Sequence, residues 1–349
     1  MAALPQGGLN GPGEVREHLP LLELLRILAS VAVVHYHMRT GFLLGVGFGL
    51  PLFLLILFGL SCSGSTREPL ARFARRKARF LLVPWLRWSL IYLGVLIQGN
   101  LAGGRATFDR LEGDMLFYGG HLSLWFLPFA TLAVIAAKGL QRWAVRFPIP
   151  TAMLAAALLA ALWTAGVACA MRFDLPRLPT RFWLLSSPAI LWGLALGQSL
   201  RLPTMRSRRV WLAAVALVST LAFVLSPSAG DFDSISHRYA LAVPLVCLGF
   251  AWKPRIPSFV PALSSLCFGV YLVHSLVGNG LLHVFEMSTW PAFLHTGAAW
   301  ALSALLVAGL RRAGVPWHEL ASRERPTRST RIGRPHRLHE LSQKGRKAA

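Results

Sequence analysis

In the segment LPLLELLRILASVAVVHYH, Arg26 precedes His37 by eleven residues. Eleven residues of α-helix make just over three turns and ~16 Å of rise, so the two side chains project from one face. Ionisable groups inside a membrane helix are costly and mark functional pathways, which makes this stripe a candidate active site. A neutral imidazole can take the proton of an attacking hydroxyl. A guanidinium, permanently charged, can hold an anionic or carbonyl group. Glu23 stands one turn before Arg26, close enough to orient or neutralise it. His35 is an internal control: nine residues from Arg26 turn the helix through ~900°, onto the opposite face, so it is expected to matter less than His37.

A second constellation is the run Arg72, Arg75, Arg76, Lys77 and Arg79. Guanidinium groups bind phosphate oxygens through bidentate, charge-assisted hydrogen bonds. Arg76 and Arg79 share a helix face at i, i+3, and Arg87 lies two turns deeper, where it extends the cationic track. His121 falls at a depth similar to that of His37 and is a candidate contact for a substrate or for the base. Trp125, one turn later, offers an aromatic face of the kind that stacks on sugar rings. Tyr271 and His274 share a face at i, i+3 near mid-membrane, where an interhelical hydrogen bond is the expected arrangement and a substrate contact the alternative for His274.

The elements that must position these residues follow from composition. The chain is 54% hydrophobic and 14% charged, which excludes an ordinary soluble domain. A membrane span needs ~20 mostly apolar residues. Ten such stretches are predicted, near 21–38, 41–63, 80–101, 116–137, 149–171, 182–200, 210–227, 239–252, 262–285 and 291–310, the eighth being short. The expected fold is an all-α polytopic membrane protein. Residues 1–20 form an N-terminal cytoplasmic segment, 21–310 the transmembrane domain, and 311–349 a basic tail with the composition of a disordered segment. The Gly- and Pro-rich start has no basic n-region, so the first span is expected to remain in the mature protein.

A formal charge of +22 invites a nucleic-acid reading, but its distribution argues for topology. Basic residues fall in alternate loops: the run after the second span, then Lys138, Arg142 and Arg146, then Arg201, Arg206, Arg208 and Arg209, then Lys253 and Arg255. Acids mark the opposite loops: Asp109, Glu112 and Asp114; Asp231 and Asp233; Glu286. The positive-inside rule makes the basic loops and both termini cytoplasmic. One outer loop departs from this pattern, with Arg172, Arg177 and Arg181 set against only Asp174, and these arginines are candidates to meet an anionic acceptor. The four cysteines, Cys62, Cys169, Cys247 and Cys267, show no metal or disulfide spacing and read as small packing residues.

The segment LELLRILASVAVVHYH, carrying Glu23, Arg26 and His37 as D/E-x-x-R-x10-H, resembles the opening helix of the acyltransferase-3 family of membrane proteins. In order along the chain, PLFLLILFG at 51–59, FARRKARFLLVPWLRWSLIYL at 73–93, HLSLWFLPFA at 121–130 and LCFGVYLVHSL at 266–276 are similar to later family signatures. The resemblance implies transfer of an acyl group, usually acetyl, from cytoplasmic coenzyme A to a hydroxyl of a saccharide or related acceptor. His37 would be the general base, with Arg26 positioning the donor. Arg76 and Arg79, which match the family's R-x-x-R pair, would hold its phosphates. Two extra residues, Ser123 and Leu124, separate His121 from Trp125-Phe126-Leu127, which on a continuous helix turns His121 by ~200° from its expected face.

The expected function is therefore that of a membrane-bound O-acyltransferase using acyl-CoA, with no metal and no nucleic-acid partner, in a bacterial inner membrane. The alternative is a transporter or flippase of a lipid-linked or small anionic solute, with the same polar stripe lining its path. Transporters commonly show internal repeats, and none is evident here.

Overall fold

The computed structural model describes residues 19–38, 46–64, 66–104, 115–171, 180–226, 235–285 and 291–314. Every regular element among them is helical. The expectations placed on Asp109, Glu112, Asp114, Arg172, Asp174, Arg177, Asp231, Asp233, Glu286, the first eighteen residues and the tail beyond 314 lie outside the described residues.

The helices are α1 (Pro20–His37), α2 (Gly49–Ser63), α3 (Leu70–Ala102), the short α4 (Met115–Tyr118), α5 (Phe126–Ala144), α6 (Ile149–Ala170), α7 (Thr180–Ser186), α8 (Pro188–Ser199), α9 (Met205–Val224), α10 (Ile235–Ala251), α11 (Phe259–Phe285) and α12 (Ala292–Arg312). Two 3-10 turns, Val46–Phe48 and Leu122–Trp125, lead into α2 and α5. Among the described residues seven segments are long and apolar enough to cross a membrane, while α2 and α10 are shorter apolar helices. The predicted span at 182–200 is divided between α7 and α8, with Pro188 opening the second piece. Proline suits the first turn of a helix, where its missing N–H has no intrahelical partner to lose.

Large apolar side chains cover the outside: Leu86, Leu90, Leu158, Leu162, Leu221 and Leu305 are all exposed. Water would penalise such a surface and lipid accepts it. The protein is an integral membrane protein.

Inside, α2 is the central element and packs against α1, α5, α8 and α10. Its closest approach is to α8. A Cβ at Gly193 would collide with Phe58, and one at Gly197 would meet Cys62 and the Gly59 carbonyl at 2.6 Å. The Gly193-x-x-x-Gly197 spacing thus lets the two backbones meet, as small residues do where no hydrophobic drive separates helix from lipid.

One end of α2 is pinned by a buried cation. Lys138, 2% exposed on α5, donates from Nζ to the Gly64 carbonyl at 3.1 Å and to Oε1 of Gln141 at 2.6 Å. Gln141 donates in turn to the carbonyls of Cys62 and Gly64. Carbonyls left over at a helix C-terminus carry partial negative charge, and a cation satisfies them. Lys138, expected in a basic loop, is instead this internal cap. Three of the cysteines are buried as expected of packing residues, but Cys169, in the last turn of α6, is exposed.

Candidate active site

α1 lies along α11, with α12 beside it. Its apolar positions Leu22, Leu25, Ala29, Ala32 and Val33 are buried, and the polar stripe runs between them. Arg26 Nη1 meets both Glu23 oxygens at 3.0 and 3.1 Å. Glu23 also accepts a hydrogen bond from the hydroxyl of Ser264 on α11, and Arg26 is within electrostatic reach of Cys267 on the same helix. Three turns further on, the His37 ring packs on the His274 ring of α11, with centroids 5.0 Å apart. Arg26 and His37 therefore share the face turned to α11. His35 points elsewhere, its Nδ1 lying 2.8 Å from Thr296 Oγ1 on α12.

His274 is fully buried. Its Nδ1 lies 2.7 Å from the Tyr271 carbonyl, which can only accept, so the proton sits on Nδ1. Nε2 is then left to accept from the Ser275 hydroxyl at 3.2 Å. Both ring nitrogens of His274 are thereby engaged, and the ring is fixed against His37. Tyr271 reaches across to the 3-10 turn that precedes α5, its hydroxyl donating to the Ser123 carbonyl.

His121 is not part of a continuous helix. It has extended backbone, φ −151° and ψ 139°, and caps the 3-10 turn, its Nδ1 accepting from the Ser123 N–H at 3.2 Å and lying 2.8 Å from Ser123 Oγ. The expected ~200° rotation presupposed unbroken helix and does not apply. Instead the ring stacks on Tyr92 of α3, with centroids 4.6 Å apart, and lies within electrostatic reach of His37 and His274. Two glycines bring this segment in. Gly119 has φ +76°, and a Cβ on Gly120 would strike the Ser89 carbonyl of α3. Tyr92 anchors the other side by donating to the Leu272 carbonyl at 3.0 Å.

Three imidazoles thus gather from α1, α11 and the approach to α5. They differ in engagement: His274 is saturated and His121 is held through Nδ1. His37 makes ring contacts with Tyr36 and His274 but no hydrogen bond to any described residue. Among the described residues no His, Cys, Asp and Glu group has the geometry to hold a metal.

The other expected residues are spread more widely. Arg76, Arg79 and Arg87 are exposed on α3. Arg76 pairs with Glu68 at 2.8 Å, and the Glu68 carbonyl accepts from Arg142. Trp125 is buried with its face stacked on Phe182 at 5.1 Å, a packing geometry that leaves little of the ring open. The sequence assigns no role to Tyr92, Ser264 or Ser275, and Ser123 enters it only as one of two extra residues after His121. Hydroxyl residues are common in membrane helices, and only tertiary contact distinguishes these four.

The family comparison decides between a path and a reaction centre. The acyltransferase-3 family model, described as an acyltransferase domain, matches residues 20–310. The chain belongs to the acyltransferase-3 family. The matched stretch runs from the start of α1 into the last turn of α12, so every candidate residue lies within it. No curated protein and no solved structure gives a match. As a member of this acyltransferase-3 family, the protein is a membrane acyltransferase.

Proposed function

We propose that the protein transfers an acyl group, acetyl in the first instance, from coenzyme A to a hydroxyl of a saccharide or related acceptor, with His37 as general base. The observation that carries this reading is the unequal engagement of the three imidazoles, which leaves the nitrogens of His37 available to a substrate. In the reaction the acceptor oxygen attacks the thioester carbonyl. A C–O bond forms as the C–S bond breaks, and the hydroxyl proton passes to His37 and then to the departing thiolate. Saturated His274 holds the base in place. Arg26, oriented by Glu23, positions the donor carbonyl or an anionic group, while Arg76 and Arg79 bind the donor phosphates and Arg87 extends that track. Glu68 yields Arg76 as the donor arrives. His121 borders the acceptor side, and Trp125, its face covered by Phe182, supports that border from behind. Ten spans, cytoplasmic termini and a bacterial inner membrane complete the reading, with the donor inside and the acceptor outside.

The test is transfer of radiolabelled acetyl from acetyl-coenzyme A to a bacterial glycan extract by protein in liposomes. General-base loss lowers rates by ~10²–10⁴, so His37→Ala is expected to lose transfer to that extent while still binding donor. Transfer by His37→Ala at the wild-type rate would remove the base.

A further inference from the structure

A cation that the proposed reaction does not use stands beside its acceptor end. Arg238 lies in the first turn of α10, partly buried, with its guanidinium carbon 5.9 Å from the centre of the Tyr36 ring. Tyr36 in turn meets the His37 ring edge-on at 5.6 Å. One aromatic ring therefore separates the guanidinium from the proposed base. The 3-10 turn Val46–Phe48 closes over the group: a Cβ at Gly47 would collide with Arg238 Nε, so only glycine lets the backbone lie there.

Nothing described neutralises this charge. The Nε atom is buried and has no hydrogen-bond partner among the described residues, and neither the Arg26–Glu23 nor the Arg76–Glu68 ion pair involves Arg238. Its position in the first turn also sets it against the positive end of the α10 dipole. A cation at such a place is destabilising until an anion meets it. Tyr36, 53% exposed, leaves ring surface open between the two groups.

We propose that Arg238 is an anion subsite for the acceptor. The acceptor then carries a carboxylate or phosphate near the hydroxyl that reacts, and Arg238 grips that group while Tyr36 lies along the intervening ring. A guanidinium fork suits either anion because both offer paired oxygens. This inference rests on the proposed role of His37 and narrows the acceptor to an acidic one.

The test separates binding from reaction. His37→Ala protein in phosphatidylcholine vesicles is dialysed against labelled oligogalacturonate, its carboxyl-reduced counterpart, or a hexose phosphate, with Arg238 native or changed to Gln or Lys. With native Arg238, at least one anionic probe should bind about tenfold or more tightly than the neutral one, the size expected of a hydrogen-bonded charge pair. Arg238→Gln should erase that preference with coenzyme A affinity unchanged, and Arg238→Lys should keep part of it, since the charge survives and the fork does not. Equal preference in Arg238→Gln, or none with native Arg238, overturns the proposal. Loss of the preference in vesicles containing phosphatidylglycerol assigns the guanidinium to a lipid phosphate and likewise overturns it. Transfer measured with His37 intact tests the base separately, so failure of the base leaves the dialysis result standing.

Discussion

A base that must be neutral to act gives a definite pH dependence. Transfer should fall as pH drops through the titration of His37 and level off above it, and a pH profile of initial rates in liposomes checks this. His35→Ala should retain most activity, because His35 Nδ1 meets Thr296 of α12, away from the face that carries His37. Equal losses in His35→Ala and His37→Ala would refute the division of faces. Ser275→Ala frees Nε2 of His274, and the expected result is a severalfold fall in kcat with donor KM unchanged, as befits a positioning residue. At this scale the sequence was most legible where spacing alone sets geometry, as for Arg26 and His37. It was least legible for His121, whose orientation depends on a break at Gly119 and Gly120 that helical arithmetic does not contain.

The approach of α2 to α8 depends on hydrogen atoms where other residues carry Cβ. Gly193→Ala and Gly197→Ala should each destabilise the protein by about 1–3 kcal/mol, the usual range for overpacking, and lower its thermal unfolding midpoint in detergent. Gly139→Ala and Gly166→Ala, which meet nothing within 4 Å, are the matched controls and should leave the midpoint unchanged or raise it. Lys138→Met preserves length but removes the Nζ bonds to the Gly64 carbonyl, which keeps Gln141, and to the buried Oε1 of Gln141, at a cost of about 1–3 kcal/mol, read by the same measurement. Helix positions were largely legible from apolar runs. The division of 182–200 at Pro188 and the later start of α5 were not, because a hydropathy window averages over a single proline or a four-residue turn. Lys138 misled for a related reason: a lone lysine near the end of a span reads as a loop cation unless the carbonyls waiting for it are known.

Across the whole molecule, charge and hydrophobicity are sorted along different directions. Apolar side chains face outward around the bundle, whereas Glu23 and Arg26 with Ser264, and Arg76 with Glu68, mark one end and the three histidines the other. Arg76 and Tyr92 sit on the same helix, ~24 Å apart along its axis, so α3 spans the distance from the proposed donor-phosphate site to the histidine cluster. Arg76→Ala combined with Arg79→Ala should therefore raise donor KM tenfold or more with little change in acceptor KM, measured by varying each substrate in turn. The membrane class and family were legible because they rest on long-range repetition of simple signals. The neutralisation of each charge was not, since it depends on partners far apart in the chain.

The exposure of Cys169 gives the native protein a built-in reporter. With Cys62, Cys247 and Cys267 buried, a maleimide that cannot cross bilayers has one thiol to find, in the last turn of α6. Intact right-side-out vesicles should take up a single label if that turn opens to the outside, and inside-out vesicles should take up none. The sidedness of the whole bundle can thus be read from an unmutated chain.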